Sequence, residues 1–573
     1  MRSLIVLLLL PFSLIGQIQF EEVAAGFGLD AAGRSVGVAV GDYDNDELED
    51  IYVGRTGMPN LLYHALPDGT FEEVGAQSGT NLGGATRMVV WADLDNDGLL
   101  DILCGNSDGH NAYLRNNGDG TFTNRTEAAG LRLQPYTTRS INAADFDGDG
   151  DLDIYVANLS QPNELFINDG TGYFTDECDA RNAQDELIAM GVICFDYDLD
   201  GDLDIYATHD SYQPNKLFEN DGTGHFVEKG QFSGTGIAIQ SMGVDVGDMD
   251  NDGDFDIYVT NLGANVLLRN TGIGFFQNSS FVSGVTDPGM GWGCTWLDVD
   301  NDGWQDLYVA NEYAFAPVPN ILYRNNSDNS FSDVSAGTVL ESPNGGYGMA
   351  TLDVNYDGRL ELLQANLGND QPNEVFLNTT ENDHHWIRLQ LEQDSLNRFA
   401  VGARVLVTTN EFVTTDGVFA GSGYASQNSH RLHFGLGADS LVDLRVFWPN
   451  GDTSDYLNVL ADSLYRIRPG TAPQGIYPLG LPVTTSTTTM ATTTPFSLQT
   501  NPVGNLLQLK GDASIGNETG QIIVVNASGA TVATHTLGHL TLAPIDVANL
   551  PAGYYVCRLR WRGGTQALPF IKR

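Results

Sequence analysis

A nine-residue acidic pattern, Asp-x-Asp-x-Asp-Gly-x-x-Asp, recurs along this chain. It begins at Asp42, Asp93, Asp145, Asp196, Asp248 and Asp298, and in a degraded form at Asp353. Successive starts lie 51, 52, 51, 52, 50 and 55 residues apart. Such a period means one supersecondary unit used repeatedly, each copy unable to bury its apolar face alone. In every unit an apolar run such as Val36–Gly41 enters the acidic segment, and a β-rich run such as Asp153–Ala157 leaves it. An Asn-led strand and a Gly turn follow, as in Asn111–Phe122, Asn163–Phe174 and Asn215–Phe226. Asp-Gly and Gly-x-Gly between short alternating runs are hairpin signals. Four strands per unit describe a propeller blade. The first unit opens with Phe20-Glu-Glu-Val-Ala24, matching the runs at Phe71 and Phe331, whereas the last stops after Asn373–Asn378 without such a strand. One blade is therefore expected to be split between the ends of the array, which removes exposed sheet edges. This favours seven blades over an eight-bladed or open arrangement. The expected fold class is all-β: a seven-bladed β-propeller over 17–380, a small β domain over 381–470, a linker over 471–495 and a C-terminal β-sandwich over 496–573.

The acidic spacing brings carboxylates at positions 1, 3, 5 and 9 around one point, with the backbone carbonyl of position 7 available as well. The candidate ligands are Asp42, Asp44, Asp46 and Asp50; Asp93, Asp95, Asp97 and Asp101; Asp145, Asp147, Asp149 and Asp153; Asp196, Asp198, Asp200 and Asp204. The later loops supply Asp248, Asp250, Asp252 and Asp256; Asp298, Asp300, Asp302 and Asp306; Asp353, Asn355, Asp357 and Glu361. Two carboxylates about 4 Å apart repel by roughly 4 kcal/mol at an effective dielectric near 20, and four carboxylates multiply the pairs. Solvated acidic turns would explain the Asp-Gly steps but not the fixed spacing. Hard oxygen donors without His or Cys suit calcium over zinc or copper, and magnesium gives up its waters less readily. These are not EF-hands, because position 12 is Val53, Cys104, Val156, Ala207, Val259 and Val309 instead of a bidentate Glu. About five to seven structural calcium ions are expected. The first loop carries Glu47 where a turn Gly is expected, and the seventh carries Asn355, Glu361 and a nearby Arg359, so these two should bind most weakly.

Composition narrows the function. Seventy-four Asp and Glu face 27 Lys and Arg, a formal charge of −47, which repels nucleic-acid phosphates. Acidic disordered chains lack aromatics, and this one has 26 Phe and 22 Tyr. Met1-Arg2-Ser3, the apolar run Leu4–Leu10, a break at Pro11 and Gly16 before Gln17 read as an export signal over 1–16. The run is too short to span a bilayer, and no later transmembrane segment is expected. Cys104, Cys178, Cys194, Cys294 and Cys557 are irregularly spaced and read as buried small hydrophobes, with a Cys178–Cys194 bridge as the alternative.

Residues 20–378 resemble FG-GAP/VCBS repeats, similar to the propeller of integrin α subunits. That resemblance implies calcium in the hairpin between the first and second strands of each blade, in a structural role. Asn397–Val405, Gly421–Gln427, Leu432–Gly437 and Val446–Gly451 stand in the order of the ASPIC/UnbV module, which follows such repeats in the cartilage acidic protein family. After the polar run Thr484–Thr494, the segments Leu498–Leu507, Val525–Gly529, Leu550–Val556 and Phe570–Arg573 resemble a type IX secretion sorting domain, although Gln499-Thr-Asn-Pro502 departs from the usual Tyr-Pro-Asn-Pro. This implies engagement of the type IX machinery and placement at the outer surface of a Gram-negative bacterium, or secretion from it.

Catalytic motifs are not recognised. Gly33-Arg-Ser-Val-Gly37 fits Gly-x-Ser-x-Gly but leads into a strand instead of a strand-to-helix elbow. His384 and His385 lack a third ligand, and His433 reads as structural. Six residues before each acidic loop stand Val36, Arg87, Arg139, Met190, Met242, Trp292 and Tyr347, at the start of the inner strand and away from the loops. Arg87, Arg139, Trp292 and Tyr347 form a candidate site for a sugar or acidic peptide, with plain channel packing as the alternative. The favoured function is an adhesion or glycan-binding scaffold with an unknown protein or glycan partner. The competing class is a polysaccharide lyase or hydrolase using the propeller rim.

Overall fold

The computed structural model describes residues 18–131, 136–313, 317–394 and 396–476, and, between 496 and 572, the strand segments with the turn at 547–550. The expected export signal and most of the linker lie outside the described residues. The described chain is all-β apart from four one-turn helices.

The first six units each form an antiparallel four-stranded meander in which chain order is spatial order, the first with Ser426–Gln427 added beside its innermost strand, and the seventh supplies three strands of its own. In the third unit Thr138–Ala144, Asp153–Asn158, Glu164–Asn168 and Phe174–Asp176 pair in succession. Burial falls outward. The second strand is wholly buried, the third exposes one side chain in part, and the outermost keeps only Phe174 fully inside. Innermost strands pack side by side in chain order, and Gly346–Leu352 of the last unit packs against Ser35–Gly41 of the first. Phe20–Glu22 pairs with Glu374–Asn378 in the register Phe20↔Asn378, so the first strand supplies the outer edge of the last sheet.

Two recurring side chains lock units together. A buried Tyr in the second strand donates to a carbonyl further along the chain: Tyr52 to Thr80 at 2.7 Å, Tyr206 to Thr235 at 3.0 Å and Tyr258 to Val285 at 2.9 Å. An Asn closing the third strand reaches back into the acidic loop of the preceding unit. Asn116 Nδ2 donates to the Tyr43 carbonyl at 2.8 Å, Asn168 to Leu94 at 2.9 Å and Asn325 to Met249 at 2.8 Å. These amides satisfy loop carbonyls that burial would otherwise leave unpaired.

Residues 385–475 build two sheets, one ordered Arg431–Gly437, His385–Leu391, Ser463–Ile467 and Gln474–Gly475, the other Val413–Gly417, Arg404–Thr408, Leu441–Phe447 and Thr453–Leu460. Their apolar core is continuous with the axis of the repeat array. Ile387, Val405 and Leu444 belong to the same buried cluster as Val36, Met190, Met242 and Tyr347. Beyond the linker, Thr531–Leu537, Gly520–Asn526, Gly553–Trp561 and Gly564–Lys572 form one sheet. Cys104, Cys178, Cys194 and Cys294 are buried free thiols, so the alternative Cys178–Cys194 bridge is not formed; the Cys557 side chain lies outside the described residues. Among the described residues no helix is long and apolar enough to cross a membrane.

Candidate metal centres and the capped channel

All seven acidic segments sit in the hairpin between the first and second strands, and each folds on its own carboxylates. The position-1 carboxylate accepts the N–H of position 6 at 2.7–3.1 Å in every loop, Glu47 included. The position-9 carboxylate accepts the N–H of position 2 at 2.8–3.2 Å. These bonds pull the acids into one cluster. Within Asp93–Asp95–Asp97, Asp145–Asp147–Asp153 and Asp196–Asp198–Asp204, one carboxylate oxygen of each residue lies within 4.8 Å of the others. Burial, reinforced by the neighbouring carboxylates, pushes Asp42 and Asp153 up to about 8 and Asp93 and Asp196 up to about 7.

The donor set fits a hard cation. Asp95 Oδ1, Asp147 Oδ1, Asp250 Oδ1 and Asp300 Oδ1 are buried without any hydrogen-bond partner, and all four hold position 3 of their loops. A repeated orphan oxygen at one position is the kind of atom a hard cation could take as a ligand.

Four loops also receive a cationic side chain from the fourth residue of the third strand. His64 Nδ1 lies 3.2 Å from Asp50 and 3.6 Å from Asp44, and Arg115 Nη2 lies 2.7 Å from Asp97. Arg269 Nε lies 2.5 Å from Asp250, and Arg324 lies 2.9 Å from Asp300. Sequence reasoning missed these residues. Their signal was present as the basic fourth letter of Leu-Leu-Tyr-His64, Ala-Tyr-Leu-Arg115, Val-Leu-Leu-Arg269 and Ile-Leu-Tyr-Arg324.

The first and seventh loops differ from the rest. Glu47 adopts φ 74°, the left-handed backbone its neighbours reach with Gly. Its carboxylate pairs with Arg466 and lies 3.5 Å from Arg431, which is also 3.6 Å from Asp42. In the seventh loop Arg388 lies 3.5 Å from Asp353, and Arg359 pairs with Asp357. Arg388 also meets Glu49 at 3.2 Å in a fully buried pair.

Arg388, Arg431 and Arg466 belong to the 385–475 domain, which lies over the acidic loops. Asn397 N donates to Asn96 Oδ1 at 2.9 Å, Thr415 N to Asp248 Oδ2 at 3.1 Å, and Arg404 to the Gly253 carbonyl at 3.2 Å. The position-6 glycines serve this contact as well as their turns. A Cβ on Gly303 would lie 1.9 Å from the Phe412 ring, and one on Gly358 1.9 Å from Trp386.

From this cap the segment Gly421–Gln427 enters the channel between the inner strands. Ser426–Gln427 pairs in parallel with Val38–Ala39, the Gly423 carbonyl accepts Val244 N at 3.2 Å, and Ser426 Oγ accepts Met349 N at 2.8 Å. Tyr424 is buried at the level of the candidate ligand residues, with its ring 5.1 Å from Trp292 and 6.5 Å from Tyr347. Trp292 and Tyr347 stack at 4.6 Å, and Arg139 lies beside Arg87, Tyr347 and Tyr424. The four residues Arg87, Arg139, Trp292 and Tyr347 are thus brought together, with Met190, Met242 and Val36 buried as packing beneath them. The cap contribution was not legible in the spacing. His433 is buried against Asn301 Oδ1 at 2.8 Å, and Ser35 of the Gly-x-Ser-x-Gly match lies in a strand.

The FG-GAP-like repeat profile matches residues 42–104, 93–156, 145–207, 196–259 and 298–363, ranges that contain all seven acidic loops. The ASPIC and UnbV profile matches 393–474. The chain carries FG-GAP-like repeats followed by an ASPIC and UnbV domain. It is distantly similar to cartilage acidic protein 1 of Xenopus tropicalis, 30% identical over 216 residues that make up 36% of this chain and 33% of the relative. The Homo sapiens protein is 31% identical over 204 residues, 34% of this chain and 31% of its own. The chain thus spans about a third of the length of these relatives. Among solved structures, an Agrocybe aegerita lectin aligns at 16% identity and TM-score 0.36, over 55% of this chain and 82% of the lectin. A Bacillus licheniformis rhamnogalacturonan lyase aligns at 14% and 0.36, over 63% and 76%. Likeness this loose carries neither ligand nor activity.

Proposed function

We propose that this chain is an exported, calcium-stiffened binding scaffold: a closed seven-bladed propeller whose cation loops are clamped beneath the ASPIC and UnbV cap. The observation that carries it is the buried, unpartnered carboxylate oxygen at position 3 of four loops. Closure is supported by the pairing of Phe20–Glu22 with Glu374–Asn378. Asp93, Asp95, Asp97 and Asp101 and their equivalents in the second to sixth loops would hold calcium, which supplies the positive charge that lets buried acids stay ionised. In the first and seventh loops Arg431 and Arg388 already neutralise position 1.

A rigid repeat scaffold, with no assembled catalytic constellation among the described residues, favours adhesion or glycan recognition at the cell surface. The C-terminal β segments fit delivery by the type IX machinery. Purified protein should carry about five calcium ions per chain by elemental analysis. A glycan array run beside a product assay should show retention without turnover. Calcium-free, undiminished folding would sink the scaffold reading, and turnover would move the chain to the lyase or hydrolase class.

A further inference from the structure

We propose that the floor of the channel, where Tyr424 of the cap meets Arg87, Arg139, Trp292 and Tyr347, is a binding site for a carboxylate. The inference deepens the scaffold reading and rests on it. The cluster is dominated by donors. Arg139 Nε and Trp292 Nε1 are buried with no hydrogen-bond partner, while another part of the Arg139 guanidinium meets the Tyr424 hydroxyl. Tyr424 is only 1% exposed, and its hydroxyl helps to hold the Arg139 guanidinium in the cluster. Arg87 donates to Ser107 Oγ at 3.0 Å, and neither Arg87 nor Arg139 forms an ion pair with an acid among the described residues. That is unusual in a chain where 74 acids compete for 27 basic side chains. Glu312, the acid beside the cluster, accepts from the Tyr347 hydroxyl and, among the described residues, leaves the two guanidinium groups without an ion pair.

Two guanidinium groups side by side repel and call for an anion. Guanidinium forks match the planar two-oxygen acceptor of a carboxylate. A monoanion is also opposed less than a phosphate dianion by the −47 charge of the surrounding chain. Carboxylates come from acidic sugars or from acidic amino-acid side chains, and both are small enough to serve as probes.

The test uses the full chain in calcium. Galacturonate and N-acetylglutamate α-amide, each a monocarboxylate, are titrated by calorimetry and by tryptophan fluorescence, with galactose and sulfate as controls. At least one acid should bind, galactose should not, and sulfate should bind far more weakly; the acid that binds identifies the source. Arg139→Gln should weaken binding roughly tenfold or more and Tyr424→Phe several-fold, with unchanged melting. Should Arg139→Gln fail to fold, Arg87→Gln and Tyr424→Phe carry the same comparison. Indifference of calcium-loaded, folded protein to both acids overturns the carboxylate site alone, as does equal affinity for sulfate. Binding by protein that carries no calcium would support the site and overturn the calcium scaffold.

Discussion

Gln427 fixes a protonation state through its amide. Its Oε1 accepts the Trp91 N–H at 2.8 Å and its Nε2 donates to the Trp91 carbonyl at 3.2 Å. The amide orientation is therefore set, and Nε2 also faces His430 Nε2 at 2.8 Å. That ring nitrogen must accept, so the imidazole is neutral. Burial pushes His430 down from 6.5 to about 4, against a smaller pull from Glu49. Because the unfolded state binds the proton first, stability from this residue is full above pH 6.5 and lost as pH falls towards 4. The loss is about 3 kcal/mol. His430→Gln, which keeps an acceptor and does not titrate, should flatten that part of the profile; parallel urea-midpoint curves for the two proteins in calcium would refute it. Arg388 makes the second residue-scale case. It is buried between Glu49 and Asp353, so Arg388→Met strands two acids and should cost about 3–5 kcal/mol. Adding Glu49→Gln should recover part of it in the same denaturation assay. Glu47 shows what was legible here and what was not. The strained turn followed from Glu standing where Gly belongs, but its compensation by Arg431 and Arg466, 384 and 419 residues away in sequence, did not.

Elements were more legible than their docking. Hairpins and acidic loops follow from short-range spacing, and Phe20–Glu22 pairs with Glu374–Asn378, the run that lacks a following outer strand. The Gly421–Gln427 segment could be recognised as a motif, yet its entry into the channel depends on small residues elsewhere. A Cβ on Gly37 would lie 2.2 Å from the Arg87 carbonyl and 2.8 Å from that of Ala425, and one on Gly421 would lie 1.9 Å from Asn142 Nδ2. Gly421 also has φ 113°. Gly421→Val should therefore expel the segment while the blades stay paired. Hydrogen exchange should rise across 418–428 and stay unchanged in Glu164–Asn168, a third strand separated from the insertion by two others. Protection retained across 418–428 would show that the channel tolerates a side chain there. The N-terminal strand makes the complementary case, because deleting 18–22 bares the edge of Glu374–Asn378. Open edges recruit other chains, so light scattering should show larger species for the truncated chain than for the parent.

At the scale of the whole molecule, charge and architecture meet on one face. The acidic loops of the repeats lie under a domain that reaches them with Asn397, Thr415, Arg388, Arg404 and Arg431, so cation binding and cap docking share a surface. Without a cation, buried loop acids either take up protons or repel one another, and Asp248, whose carboxylate holds Thr415 N, is pushed well above its usual range by burial and by Asp252. Loosening a loop should then loosen the cap. A site at one hundred times its Kd contributes about 2.7 kcal/mol, so several sites together should shift melting by on the order of ten degrees or more on chelation. The distinguishing result is where the loosening occurs. Chelation should raise hydrogen exchange in 396–417 and 418–428 before it reaches the buried second strands. Asp198→Asn, in a cluster with no arginine ion pair at that position among the described residues, should reproduce much of the effect. Asp357→Asn should not, because Arg359 and Arg388 already serve the seventh loop. Equal effects of the two substitutions, or a cap that holds while the blades open, would mean that the loops stiffen each blade separately and leave the cap to its apolar packing.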